Sequence, residues 1–375
     1  MRVLQISKAV PKAGYSTENL IDVFPCKLPE SVRHNVLNLG VSNRYLISSP
    51  VSTSKQETLI GEDDLVELCV EACQDALEKT DISTKHIGCF IVCYDANPFL
   101  CPGLSQLLIR KIGFSPHIKH FNIQGMACAS FTRSLELADD HLATRPHDSV
   151  LICISGVNSY WLISQLRGLK EVMGIHRIKL IKNDKKKRME LRKWIATIEF
   201  FLFGDGVAGV IVAKKGSGFL VDKVVDVTNL RKNDYMTGYA RITDLHEPFK
   251  FGFYSYLDRK LPKLGVEYTA SAIKRLLGKN AEATIKIAKK WAIHTGSRKI
   301  LNLLSEHYNI THEALRESHR VLHEYGNLSG ASLPFILEKI ISENKFSTGD
   351  IVLMLGFGWG FTASACTLEF RNKED

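Results

Sequence analysis

The chain has no run of about 18 uncharged apolar residues, the length a helix needs to cross a bilayer. Its first segment, Met1-Arg-Val-Leu-Gln-Ile-Ser-Lys8, lacks the long apolar core of a secretory signal and reads as a short opening strand. A cytoplasmic location is the expectation. Low-complexity tracts are absent, and so are a histidine cluster and a second Cys-x-x-Cys pair. Without them the four-residue offsets Cys69/Cys73 and Cys89/Cys93 carry no metal expectation. Nine cysteines in 375 residues are too sparse for a disulfide scaffold, and several stand inside apolar runs such as Gly88-Cys-Phe-Ile-Val-Cys-Tyr94. They read mostly as buried, reduced thiols.

What is present is an ordinary globular composition, 45% hydrophobic and 24% charged, long enough for two domain-sized halves. The net charge of +9 is concentrated: nine Lys and Arg between His176 and Lys193, against Asp184 and Glu190, leave +7 in that one block. A basic block without a reader motif does not point to nucleic acid.

The chain also repeats itself. Cys128-Ala-Ser130 aligns with Gly330-Ala-Ser332, and at the same separation Asp148-Ser-Val-Leu151 falls on Asp350-Ile-Val-Leu353. The helical pattern Val66–Leu77 resembles Val266–Leu277, and the strands Cys89–Val92 and Trp291–His294 follow them. Helix, strand, small-residue turn, helix, strand in each half predicts parallel or mixed sheets sandwiched by helices. The expected fold is a duplicated αβαβα layered α/β fold with two pseudo-twofold-related halves, residues 1–215 and 216–375. The boundary falls in the turn-forming Lys214-Lys-Gly-Ser-Gly218, and 229–251 reads as a second long connection.

Cys128 is the strongest candidate for chemistry. An apolar run, Phe121 to Ile123, gives way to Gly125-Met-Ala-Cys-Ala-Ser130 and then to a helical pattern. A thiol at such a turn faces the positive end of a helix dipole, which is expected to lower its pKa. The second copy has Gly330 instead and offers His294 at a strand end and Asn327 before its turn. Cysteine with histidine and asparagine can perform acyl transfer, the thiolate as nucleophile and the other two as oxyanion donors.

The surrounding motifs narrow the chemistry. Trp291-Ala-Ile-His-Thr-Gly-Ser297 resembles the histidine motif of chalcone synthase-like type III polyketide synthases. Glu324-Tyr-Gly-Asn-Leu-Ser-Gly-Ala-Ser-Leu-Pro334 resembles the asparagine motif these enzymes share with type III ketoacyl-carrier-protein synthases. Phe203-Gly-Asp-Gly206, Gly349 to Thr362 and Pro102-Gly-Leu-Ser-Gln106 look like further landmarks of the thiolase-superfamily condensing enzymes. The resemblance implies a thiolase-like homodimer in which Cys128 takes an acyl group from acyl-CoA. His294 and Asn327 would hold malonyl-CoA through decarboxylation, with no metal or redox cofactor. Neighbouring readings are delivery to an acyl carrier protein, acyl transfer to oxygen or nitrogen without condensation, and a degenerate partner subunit, which the intact triad disfavours.

The match has departures. Met126 to Phe131 looks closer to the ketoacyl synthases, whereas the histidine motif looks closer to the polyketide synthases. Trp359, in Gly356-Phe-Gly-Trp-Gly360, stands where the plant pattern has proline, and Trp161 falls in a region that lines the acyl cavity in the family. Tyr160 or Trp161 is expected to narrow that cavity, with Gly358 and Trp359 also at the substrate. Arg44 resembles a position that contacts coenzyme A. The basic segment, about 175–194, looks like an insertion, readable as a mobile solvated loop or as a docking site for a carrier protein, coenzyme A or an anionic membrane.

Overall fold

The computed structural model describes residues 1–47, 62–95, 97, 101–166, 168–244 and 247–372; side chains 62–64, 160 and 242–254 are also outside the description. Nine strands form one central mixed sheet: β1 Arg2–Ala9, β2 Ile87–Tyr94, β3 Lys119–Ile123, β4 Ser149–Ser155, β5 Val207–Ala213, β6 Gly218–Thr228, β7 Lys290–Ile293, β8 Ile351–Gly358 and β9 Thr362–Arg371. Their spatial order is β7-β8-β9-β6-β1-β5-β4-β2-β3. β2 runs parallel to both β3 and β4, β7 runs parallel to β8, and the remaining pairings are antiparallel. The order is nearly palindromic about the β1/β6 pair. β1 matches β6, β5 matches β9, β4 matches β8 and β2 matches β7, with β3 an extra edge strand in the first half.

Strands such as β4, β5 and β7 are buried along their whole length, as continuous apolar runs require when both sheet faces are covered. Helices Ser130–Thr144 and Ser332–Glu343 form the middle layer, packing Phe131, Leu135, Leu333 and Ile336 into a core shared with both halves of the sheet. Helix Glu62–Thr80 with Leu104–Ile112 covers one outer face, and helices Leu261–Leu277, Arg298–Tyr308 and His312–Tyr325 cover the other. The layering is αβαβα.

The repeat extends to backbone conformation. Ala127 (φ 45°) and Ser329 (φ 49°) both adopt the left-handed region, which non-glycine residues seldom occupy. The middle helices open at Ser130 and Ser332, and the following strands at Ser149 and Ile351. All three pairs share one separation of 202 residues (127 to 329, 130 to 332, 149 to 351).

Two expected loops are ordered elements. The segment 229–251 contains the 3₁₀ turn Asp234–Thr237 and the strand Gly238–Asp244, which pairs with Glu247–Leu257. The basic block is helical: after Ile175–Lys179, Asn183 caps a helix spanning Asp184–Leu202, its side chain accepting from the Lys186 amide at 2.9 Å. Its C-terminal turns bury Ile195, Ala196, Ile198 and Phe200 to Leu202 in the core, and this anchor extends order into the exposed basic turns.

Candidate active site

Cys128 lies in the 3₁₀ turn Ala127–Ala129, directly ahead of helix Ser130–Thr144. Against it packs the equivalent turn of the second half, Ser329–Ala331. Their approach explains why the second copy holds glycine where the first holds cysteine: a Cβ at Gly330 would stand 2.0 Å from Ser130 Oγ and 3.2 Å from Ala127 O. Strand β8 closes on the same turn, because a Cβ at Gly358 would lie 3.4 Å from the Cys128 amide nitrogen. Gly358 therefore seats the Cys128 backbone, and it is absent from the described cavity wall, where a substrate contact was expected.

Cys128 opens on a cavity of about 600 Å³. Trp161, Trp359, Phe203, Leu162 and Tyr239 supply apolar wall, and Asp95, Glu199 and Arg241 supply charge-bearing side chains. Trp161 and Trp359 both line this cavity, with Trp359 edge-on to Phe203 at 6.4 Å. The Tyr160 side chain lies outside the described residues. Asp205, from the Phe203-Gly-Asp motif, organises the wall. Its carboxylate accepts from the backbone amides of Asn158 (2.8 Å), Ser159 (3.0 Å) and Ile47 (2.8 Å), which fixes the loop leading to Trp161.

His294 follows β7, its amide donating to Leu355 O on β8 at 3.0 Å and its ring meeting the Phe357 ring edge-to-face at 5.1 Å. Phe357 precedes Gly358, so His294 reaches the Cys128 turn through β8. Asn327 donates its amide to Leu202 O (2.9 Å), and its Oδ1 accepts from the Ser329 amide (2.9 Å). That leaves its NH₂ group as the donor. Both residues are buried and neither belongs to the described cavity wall. Burial pushes the imidazole down to about 3, so His294 is neutral at pH 7 and can act by donating an N–H.

The thiol departs from expectation. Burial pushes Cys128 up to about 12, and the charge of Asp95 pushes in the same direction, so desolvation outweighs the short turn's dipole. Arg44 also departs. It is fully buried, donates to Phe200 O (3.2 Å) and Thr17 Oγ1 (2.6 Å) and faces the Phe201 ring at 5.8 Å. A guanidinium so enclosed presents no charge at a tunnel mouth. It ties strand Asn43–Tyr45 to helices Thr17–Asp22 and Asp184–Leu202, and burial pulls it down to about 9.

Sequence reading missed Asp95, Ser329 and Glu199. Ser329 sits inside the asparagine motif and could have been flagged from it. Asp95 and Glu199 end an apolar strand and interrupt an apolar helix, patterns that do not announce a cavity. Glu199 is fully buried and its Oε2 accepts from Ser255 Oγ; burial lifts it to about 7, against the hydrogen bonds of Ser255 and Gln165. Among the described residues no group of three His, Cys, Asp or Glu could hold a metal ion, and no helix is long and apolar enough to cross a membrane.

The layered duplicated sheet with a cysteine turn at its centre defines the thiolase fold. The family model "FAE1/Type III polyketide synthase-like protein" matches residues 39–167, and "3-Oxoacyl-[acyl-carrier-protein (ACP)] synthase III C terminal" matches residues 279–370. The crystal structure of 1,3,6,8-tetrahydroxynaphthalene synthase from Streptomyces coelicolor superposes with a TM-score of 0.77 at 21% identity, covering 99% of this chain and 100% of that one. The 3,5-dihydroxyphenylacetyl-CoA synthase of Amycolatopsis orientalis is 23% identical, covering 98% of this chain and 93% of its own. The β-ketoacyl-[acyl-carrier-protein] synthase III of Lactobacillus helveticus is 22% identical, covering 84% and 87%. The chain therefore has the thiolase fold, and along most of its length it is similar to both type III polyketide synthases and ketoacyl-carrier-protein synthases III.

Proposed function

We propose that the protein joins an acyl-CoA starter to malonyl-CoA by decarboxylative Claisen condensation, with the acyl group held on Cys128. The observation that carries this is Cys128 itself, at the meeting of the two pseudo-symmetric turns and open to a cavity of about 600 Å³. On this reading residues 1–215 supply the nucleophile and residues 216–375 supply His294 and Asn327. The Cys128 sulfur attacks the starter thioester and releases coenzyme A. Malonyl-CoA then loses carbon dioxide, and its electrons pass to the thioester oxygen as an enolate. Neutral His294 and the Asn327 NH₂ donate to that oxygen, and such preorganised donors in a dry site are worth about 3–4 kcal/mol each by the cost of removing one. The enolate carbon attacks the acyl-Cys128 carbonyl and expels the thiolate, completing the carbon–carbon bond. Every electron in this sequence comes from the substrates, so the reading requires no metal or redox cofactor.

Incubation with a panel of acyl-CoA thioesters, followed by intact mass, tests the first half through acyl-Cys128. Malonyl-CoA is then added and carbon dioxide release followed. Acylation without decarboxylation would favour simple transfer to oxygen or nitrogen. Loading from an acyl carrier protein but not from coenzyme A would favour the ketoacyl synthase reading, and no loading from either would favour a degenerate subunit. The homodimer and the cytoplasmic setting belong to the same proposal.

A further inference from the structure

Asp95, one residue beyond β2, reaches the nucleophile through a single side chain. Its Oδ1 accepts from the Ala127 amide at 3.1 Å, and the Gly125 amide also donates to the carboxylate. Its Oδ2 accepts from Ser329 Oγ at 3.0 Å. The one hydroxyl proton of Ser329 is thereby committed to Asp95, which leaves the oxygen lone pairs as acceptors. They face Cys128 Sγ at 3.8 Å, with the thiol as donor. Donation therefore runs one way, from Cys128 to Ser329 to Asp95. Among the described residues His294 makes no hydrogen bond to Cys128; its ring meets Phe357 edge-on instead.

We propose that Asp95 accepts the Cys128 proton through the Ser329 hydroxyl, as a positioning residue that touches the thiol only by way of Ser329. The inference rests on the reading of Cys128 as the acyl-carrying nucleophile. As sulfur attacks the starter carbonyl, its proton passes to Ser329 Oγ while the Ser329 proton passes to Asp95, so the serine is neutral before and after. The S–H bond breaks, a C–S bond forms, and the departing coenzyme A thiolate takes the proton back from Asp95. The net reaction is thiol plus acyl-CoA giving acyl-Cys128 plus coenzyme A. Neutralising Asp95 at that moment also removes the charge that opposes a thiolate beside it.

A fixed charge and a proton acceptor predict opposite effects, which makes the inference testable. If Asp95 were only a charge, Asp95→Asn would ease ionisation of Cys128 and speed its reactions. As an acceptor its loss slows them. The full chain is treated with iodoacetamide at pH 7.5, and Cys128 alkylation is timed by intact mass, with Cys128→Ala as the blank for the other thiols. Asp95→Asn and Ser329→Ala are expected to slow alkylation by about 10²-fold, the lower range for a positioned general base. Asp95→Asn placed in the Ser329→Ala background is expected to add little further slowing, because the two residues act in one path. Alkylation at the wild-type rate or faster in either variant overturns the proposal. Should Asp95→Asn lose its cooperative melt, the alkylation rate of Ser329→Ala decides alone. Because iodoacetamide needs no acyl substrate, a protein that shows the relay but never loads an acyl group contradicts the proposed function and leaves the relay standing.

Discussion

Glu199→Gln should stabilise the protein in a pH-dependent way, and the size follows from where the carboxyl sits. Glu199 is fully buried, and burial lifts it from an ordinary 4.5 to about 7 against the hydrogen bonds of Ser255 and Gln165. Below pH 4.5 the carboxyl is protonated in both folded and unfolded chains and costs nothing. Between 4.5 and 7 the unfolded chain ionises first, so stability falls as pH rises; above 7 both forms are ionised and the loss is complete. At about 1.4 kcal/mol per pH unit over that interval, the folded state forfeits about 3 kcal/mol by pH 8. Glutamine keeps the acceptor for Ser255 and never ionises. With an unfolding entropy of about 2.1 cal/mol/K per residue, the chain would melt about 4 °C higher at pH 8 in Glu199→Gln. The difference should shrink towards zero at pH 4. Melting curves of both proteins from pH 4 to 8 check it; a difference that stays constant across that range would refute the reasoning, since only ionisation produces the slope.

Trp161→Ala enlarges the apolar wall of the cavity and is expected to shift the product spectrum towards longer acyl groups or further extensions, read by mass spectrometry of products; an unchanged spectrum counts against a gating role. Gly330→Ala forces a Cβ to within 2.0 Å of Ser130 Oγ and should cost about 1–3 kcal/mol in a denaturant titration. It should also slow Cys128 acylation by moving the turn. Arg44→Met is expected to lower stability by about 1–3 kcal/mol, because it strips a buried carbonyl and hydroxyl of their donor, while KM for acyl-CoA holds. A rise in KM with unchanged melting would restore the coenzyme A role. Neutralising Lys185, Lys186, Lys187 and Arg188 should weaken carrier-protein binding and flatten its salt dependence if the basic turns dock an acidic partner; unchanged affinity removes that role.

The duplication was legible because it is written in local pattern. Small residues at the turns around Cys128 and Gly330, apolar runs for β4 and β8 and matched helices each carry their own physical signature, and their common spacing ties them together. The Cys128 thiol was legible for the same reason, at a strand-to-helix turn. Its acidity was not, since that depends on how deeply the turn is buried and on Asp95, 33 residues earlier in the chain. Arg44 failed as a coenzyme A contact on similar grounds. Sequence shows a basic residue, and only packing shows that helices Thr17–Asp22 and Asp184–Leu202 enclose it. The basic block was readable as a mobile loop, one of several readings, because its charges hide a helix whose anchor, Ile195 to Leu202, lies further along the chain.

The amino-acid sequence by itself determined the strands and helices of the repeated unit, that the chain is two copies of it, and which copy holds the thiol. These are decided by propensity, periodicity and spacing within a few turns of chain. Tertiary structure alone decided which groups meet at that thiol. The turns at Cys128 and Ser329 are 201 residues apart in sequence, and they touch only because the two halves share one sheet and pack their central helices together. Burial there raises the thiol, burial behind β8 keeps His294 neutral, and the packing of the two turns places a carboxylate within one hydroxyl of the sulfur.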